Sequence, residues 1–189
     1  MWAFLVAPAY LVGIFPTAAL VAKASGIDIH AAGSGNPGAS NVSRTLGWRK
    51  GMIVFALDAL KGVVSAGAGL WLGGRAGGYA LGTAAVVGHV FPVTRRGRGG
   101  KGVASAGGVV AVLHPIVFVV ISGLWLAVHR LCRRAAIASL ASVTAAPIGA
   151  AVAGRPAWEV AATAGLAALL IARHAGNIRR LLGGTEHRL

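Results

Sequence analysis

Acidic side chains are nearly missing from this sequence. Its 189 residues hold 4 Asp plus Glu against 18 Lys plus Arg, a formal net charge of +14, and charged residues of both signs make up 12% of the chain. A water-soluble domain carries about 25% charged residues, so a soluble globule is excluded. A single cysteine, Cys132, excludes a disulfide framework. Asp28, Asp58, Glu159 and Glu186 are scattered, so no carboxylate cage for Mg²⁺ or Ca²⁺ assembles, and the expected site needs neither metal nor cofactor. That argues against phosphatidyltransferases that use aspartate-bound metals. No His is followed five positions later by Asp, the pattern of the soluble-type glycerolipid acyltransferases. Aromatics are also sparse, at 6%. The basic residues stand between apolar runs rather than on a polar, aromatic-bearing face, which excludes a nucleic-acid surface. What the chain does have is 56% hydrophobic residues and 29 glycines, too apolar for disorder. Its natural partners are membrane lipids with anionic headgroups, and anionic substrates.

A membrane-spanning helix takes about 20 mostly apolar residues. Runs 2–22, 51–72, 76–93, 135–153 and 157–172 qualify, the last slightly short. The first ends in Ala22-Lys23-Ala24, which resembles a signal-peptidase site, but no basic residue precedes the run and it reads as a retained helix. Residues 103–129 are long for one span and short for two. Charge decides between them: Lys23, Arg44, Arg49 and Lys50, then Arg95, Arg96, Arg98 and Lys101, then Arg130, Arg133 and Arg134, and finally Arg173, Arg179, Arg180 and Arg188 fill alternate loops, while the others hold only Arg75 and Arg155. If Lys and Arg mark the cytoplasmic side, the chain crosses an even number of times between Lys101 and Arg130, with a break near His114-Pro115. The expectation is an all-α integral membrane protein, 1–189 forming one domain. It would be a compact bundle of about seven helices, with the N-terminus outside and the C-terminus cytoplasmic. Gly78-x-x-x-Gly82 is one of several small-residue faces for close helix packing.

Two cytoplasmic loops are built for anions. In Gly33-Ser34-Gly35-Asn36-Pro37-Gly38-Ala39-Ser40-Asn41-Val42-Ser43-Arg44, glycines that tolerate positive φ alternate with hydroxyls, amides and one cation, so backbone N–H groups can curl around a negative charge. In Arg95-Arg96-Gly97-Arg98-Gly99-Gly100-Lys101-Gly102-Val103 a nucleotide P-loop fails, because Arg95 stands at the first Gly and Gly102 at the magnesium-binding hydroxyl. A Gly-rich turn entering a helix near Val103, with Lys101 beside exposed amides, is what remains.

In the tail, Arg173, His174 and Asn177 stand one turn apart if the last helix continues. Asp58 and Lys61 fall on one face of the second run and read as a structural ion pair. His30, His89, His114, His129 and His187 carry little signal alone, and nothing around Cys132 marks it as a nucleophile.

These residues resemble a known family. The segment from Gly33 to Arg44, followed by Leu46-Gly47, is similar to the first motif of the bacterial acyl-phosphate:glycerol-3-phosphate acyltransferases, the PlsY family. Gly88-His89-Val90-Phe91-Pro92-Val93 with Gly99-Gly100-Lys101-Gly102-Val103-Ala104 resembles the second motif. Arg173-His174-x-x-Asn177-Ile178-x-Arg180-Leu181-Leu182-x-Gly184-x-Glu186 resembles the third, and Asp58-x-x-Lys61-Gly62 matches a further family feature. The resemblance implies a multi-pass enzyme of the bacterial inner membrane with its active site on the cytoplasmic face. Its reaction would move an acyl chain from acyl phosphate to the sn-1 hydroxyl of glycerol 3-phosphate, forming lysophosphatidic acid for phospholipid synthesis. By motif position Arg44, Lys101, His174 and Asn177 would act on the phosphates and Ser139 would assist. Ser34, Gly35, Asn36, Gly38, Ser40 and Asn41 would cradle the acyl phosphate, and Gly99, Gly100 and Gly102 would also bind substrate. No Ser-His-Asp arrangement is evident, so direct attack by the glycerol hydroxyl is expected, with either His174 or a donor phosphate oxygen as base. The competing reading is an anion transporter or channel. Against it, the informative residues sit on one membrane face, whereas transporters place their sites at mid-depth.

Overall fold

The computed structural model describes residues 2–188, which are helical with no strand among them. After a 3-10 turn at Trp2–Leu5 come α1 (Val6–Ile14), α2 (Thr17–Lys23), α3 (Ala39–Leu46) and the long α4 (Trp48–Val90). Then follow α5 (Val103–Leu113), α6 (Pro115–Cys132), α7 (Ala135–Val152), α8 (Ala157–Arg173) and α9 (Ala175–Leu182). The chain divides into two compact units, one ending at Leu113 and the other beginning at His114.

In the first unit, α4 is the scaffold. Gly73 and Gly74 leave helical geometry, Gly74 at φ 58°, which a residue with a Cβ rarely adopts, and they turn α4 into two antiparallel arms, 48–72 and 75–90. The arms touch through glycine: a Cβ on Gly69 would overlap the Gly77 carbonyl, and one on Gly77 the Gly69 carbonyl. Gly82 packs beside Val109 and Ala66, and Gly78 beside Leu113, which gives the Gly-x-x-x-Gly pattern its purpose. α1 lies on the second arm, where Gly13 meets Ala85 and Gly88 meets Tyr10; α5 lies on the first, where Gly62 meets Ser105 and Gly108 meets Ala59.

The first apolar run is not one helix. Pro16 offers no N–H and pushes Phe15 to φ −51°, ψ 124°, so α1 ends and α2 begins at Thr17. The break frees the Phe15 carbonyl, which accepts from Lys61 Nζ at 2.7 Å. Lys61 also pairs with Asp58 Oδ1 at 2.7 Å, and Thr17 Oγ1 donates to the same oxygen at 2.5 Å. The expected pair therefore exists, buried, with a hydroxyl and a carbonyl completing it.

In the second unit, α6 and α7 form a hairpin turned at Arg133, whose φ of 51° is left-handed. Ser142 Oγ donates to the Ile121 carbonyl at 2.9 Å, and Gly149 packs on Val117. α8 packs on α7, and α9 follows it. His114 and Glu159, both buried, approach to 3.7 Å.

Four segments among the described residues are long and apolar enough to cross a membrane: Trp2–Lys23, Trp48–Arg95, Pro115–Cys132 and Ala135–Val152. α4 needs its hairpin, since its 43 residues rise roughly 65 Å against a hydrocarbon core of about 30 Å. The stretch 103–129 does divide at His114, with Pro115 opening α6. α5, at 11 residues, rises only about 16 Å.

Candidate active site

The first anion-ready loop is stapled shut by one side chain. Asn41 is 2% exposed. Its Oδ1 accepts from the Ser34 amide at 2.9 Å, and its Nδ2 donates to the carbonyls of Ala32 at 2.9 Å and Ile29 at 3.4 Å. Gly33 (φ 58°) and Gly35 (φ 68°) make the bends this requires, and a Cβ on Gly33 would overlap Asn41 Oδ1. Gly38 is extended and opens α3, its carbonyl accepting from Asn41 and Val42 N–H. The amides of Ala39 and Ser40 therefore lie at a helix start, where backbone N–H groups lack intrahelical acceptors and the dipole favours an anion. The Asn36 carbonyl accepts from the Gly38 amide at 2.9 Å. Arg44 lies on the last turn of α3, half-buried, in the same short helix as Ser40 and Asn41.

The second loop hangs from the end of α4. Gly97 N–H returns to the Pro92 carbonyl at 3.0 Å, Gly99 N–H to Val90 at 3.2 Å and Gly100 N–H to His89 at 3.2 Å. Neither Gly99 nor Gly100 has room for a Cβ: the first would overlap the His89 carbonyl, the second the His89 Nε2. Gly102 takes φ 84°, and its carbonyl accepts from Ala106 N–H at 2.8 Å, so α5 begins where the sequence places a helix start. Lys101, half-buried, stands one residue before this first turn. A Gly-rich turn, a helix N-terminus and an ammonium thus share five residues.

In the second unit, His174 is 2% exposed and sits at the junction of α8 and α9. Its Nδ1 lies 2.8 Å from the Leu170 carbonyl. A carbonyl only accepts, so Nδ1 carries the hydrogen and Nε2 is the nitrogen whose protonation can change. Ile178 N–H donates to the His174 carbonyl at 2.8 Å, which keeps His174 and Asn177 one turn apart as the spacing implied. Asn177, buried, donates from Nδ2 to Glu186 Oε1 at 2.7 Å, and Arg180 Nε donates to Glu186 Oε2 at 2.9 Å. The tail bends back at Gly184 (φ 72°) to bring Glu186 in. Ser139 Oγ accepts from Trp125 Nε1 at 3.2 Å, and that ring stacks on His129.

Within each unit, then, the expected residues fall into local groups: Ser34 to Asn41 with Arg44, Gly99 to Gly102 with Lys101, and His174 with Asn177. Two contributors stand in the motifs quoted above without a role of their own. Glu186 was seen as one of four isolated carboxylates, although it fixes Asn177 and Arg180 together. His89 carried no evident role, although the glycine-rich turn is built against it. A signal for the second existed in Gly99-Gly100, since paired glycines inside a rigid turn mark a neighbour that leaves no room for side chains. Among the described residues, no three His, Cys, Asp or Glu side chains group as metal ligands do.

A family model described as glycerol-3-phosphate acyltransferase matches residues 3–184. Glycerol-3-phosphate acyltransferase 1 of Deinococcus radiodurans is 43% identical over 95% of this chain and 91% of its own length. The Aquifex aeolicus glycerol-3-phosphate acyltransferase is 40% identical, with 98% and 97% covered. The crystal structure of PlsY (YgiH), an integral membrane glycerol 3-phosphate acyltransferase, in its glycerol 3-phosphate form superposes with a TM-score of 0.94 at 39% identity, covering 100% of this chain and 95% of that one. Its lysophosphatidic acid form superposes at 0.91. A family model over residues 3–184, with full-length matches in sequence and in fold, means that this chain belongs to the glycerol-3-phosphate acyltransferase family.

Proposed function

We propose that the protein transfers an acyl group from acyl phosphate to the sn-1 hydroxyl of glycerol 3-phosphate, releasing inorganic phosphate and lysophosphatidic acid. The observation that carries this reading is the pair of glycine-shaped loops in the first unit, each running into a helix start, with Lys101 just before one start and Arg44 on the last turn of the other helix, in a chain whose fold neighbours are a glycerol 3-phosphate form and a lysophosphatidic acid form of one enzyme. Both substrates are anions. The loop of Ser34, Gly35, Asn36, Gly38, Ser40 and Asn41 takes the donor phosphate with Arg44. The turn of Gly99, Gly100 and Gly102 takes the acceptor phosphate with Lys101.

In the reaction, the hydroxyl oxygen adds to the acyl carbonyl carbon, the carbon–oxygen bond to phosphate breaks, and the hydroxyl proton leaves to His174 Nε2 or to a phosphate oxygen. Fixing two anions in reacting orientation is worth several kcal/mol, and cations beside the developing oxyanion and departing phosphate add to it. Asn177 keeps a second amide hydrogen for a substrate oxygen while Glu186 holds the first, and Ser139 retains its hydroxyl proton as a donor. Charge placement supports seven membrane segments with the N-terminus outside, the C-terminus cytoplasmic and the chemistry at the cytoplasmic face of a bacterial inner membrane. One family model running across both units supports reading the chain as a single acyltransferase domain.

The test is purified protein in detergent with acyl phosphate and labelled glycerol 3-phosphate, read by formation of labelled lysophosphatidate. Product from an acyl thioester and none from acyl phosphate refutes the donor assignment.

A further inference from the structure

We propose that His89 is a positioning residue for glycerol 3-phosphate: tied to Asp58 on one side, its imidazole is the floor on which the Gly99 to Gly102 turn is set. This rests on the reading of that turn as the acceptor-phosphate site.

The observations converge from both ends of the turn. At its entry, the Gly100 amide bonds the His89 carbonyl and the Gly99 amide bonds the Val90 carbonyl, each at 3.2 Å. At its exit, Ser105 Oγ in the first turn of α5 donates to the Asp58 carbonyl at 2.9 Å. His89 and Asp58 belong to opposite arms of α4, and they meet: His89 Nδ1 lies 3.5 Å from Asp58 Oδ1, both side chains buried. The far side of the ring, Nε2, fills the space that a Gly100 side chain would need.

A spacer alone does not require histidine at this position. Burying an imidazole is unfavourable unless its nitrogens are satisfied, and Leu or Met would fill the volume without that cost. What histidine adds is a polar edge: Nδ1 faces, at 3.5 Å, a carboxylate that is itself held by Lys61 and Thr17, and that contact favours one rotation of the ring. A fixed ring fixes the height of Gly100, whose own amide and that of Gly99 are taken by the His89 and Val90 carbonyls, and with it the direction of the amides that follow at the start of α5. Preorganised amides bind an anion without the reordering cost that a loose turn incurs.

The experiment is steady-state kinetics on His89→Ala, His89→Leu and His89→Gln, varying glycerol 3-phosphate and acyl phosphate separately, with melting temperatures in detergent and hydrogen exchange over residues 97–102. The expected result is a KM for glycerol 3-phosphate raised about tenfold in His89→Ala, with the KM for acyl phosphate within about twofold and the protein still melting cooperatively. His89→Leu stays impaired, since it restores volume but not the bond to Asp58, whereas His89→Gln recovers part of the loss. Exchange at 97–102 rises in the Ala and Leu variants. Gly100→Ala raises the same KM in the wild-type background and adds little to His89→Ala, because the ring it collides with is gone.

An unchanged KM for glycerol 3-phosphate, full rescue by Leu, or equal rises in both KM values with a lowered melting temperature overturns the proposal. Lys101→Ala separates this failure from that of the site assignment. If Lys101→Ala weakens glycerol 3-phosphate use and His89→Ala does not, only the role of His89 falls; if Lys101→Ala also leaves it unchanged, the turn is not the acceptor site.

Discussion

Replacing Asp58 by Ala removes the centre of a three-way contact. One carboxylate oxygen accepts from Thr17 Oγ1 at 2.5 Å and Lys61 Nζ at 2.7 Å, and His89 Nδ1 faces it at 3.5 Å. Without it the Lys61 ammonium keeps the Phe15 carbonyl as an acceptor but loses its counter-charge, at 5% exposure. Breaking a buried pair by removing one partner costs about 3–5 kcal/mol. For a domain of this length each kcal/mol lowers Tm by roughly 2–4 °C, so a fall of about 10 °C is expected. Asp58→Asn keeps an oxygen for Thr17 and Lys61 and should cost distinctly less. Asp58→Leu with Lys61→Met, which removes both charges, should recover much of the loss, because an apolar pair of similar volume avoids desolvating two ions. The assay is thermal unfolding followed by size-exclusion chromatography in detergent. An Asp58→Ala protein that melts with the wild type would refute the stabilising role, and loss of activity at full stability would move the pair into the active site.

How far the sequence carried depended on whether the cause was local. Pro115 sits in the chain where it breaks the helix, and Val103 opens α5 because the glycines before it cannot continue one, so both boundaries were legible. Asp58 and Lys61 are one turn apart on α4, and periodicity alone puts them together. Thr17 reaches the same carboxylate from α2 and His89 from the other arm of α4, and no spacing rule brings them there. Glu186 depends on a reversal at Gly184 that a tail of polar residues does not announce. The first apolar run shows the same limit: it stands as one candidate span, Trp2–Lys23, but its helix is interrupted at Phe15-Pro16, where Lys61, far along the chain, takes up the Phe15 carbonyl. In the candidate site, the loops and cations were readable as local chemistry; the partners that hold them still are tertiary.

Further outcomes follow from the same structure. Arg155→Cys and Arg98→Cys, each in a Cys132→Ala background, should label with a membrane-impermeant thiol reagent from opposite sides, and native Cys132 from the same side as position 98; labelling of 98 and 132 from different sides refutes the even number of crossings between them. Asn41→Ala should lower activity by loosening the Ser34 turn, with faster hydrogen exchange at residues 33–38, and unaltered exchange there would mean the three bonds of its amide are not what shapes the loop. The most demanding outcome concerns the cations. A site that draws its positive charge from side chains and amides has no substitute for Lys101 or Arg44, so Lys101→Ala and Arg44→Ala should each lose about 10²–10³ in kcat/KM while Tm is kept. Arg44→Lys should stay impaired, because an ammonium is a point charge and cannot reproduce a two-pronged grip on phosphate. The same logic requires turnover to persist after exhaustive chelation of divalent metals. If chelation stops acyl transfer and Mg²⁺ restores it, or if Lys101→Ala turns over like the wild type, the charge that stabilises the transition state comes from elsewhere and the cationic-pocket mechanism fails.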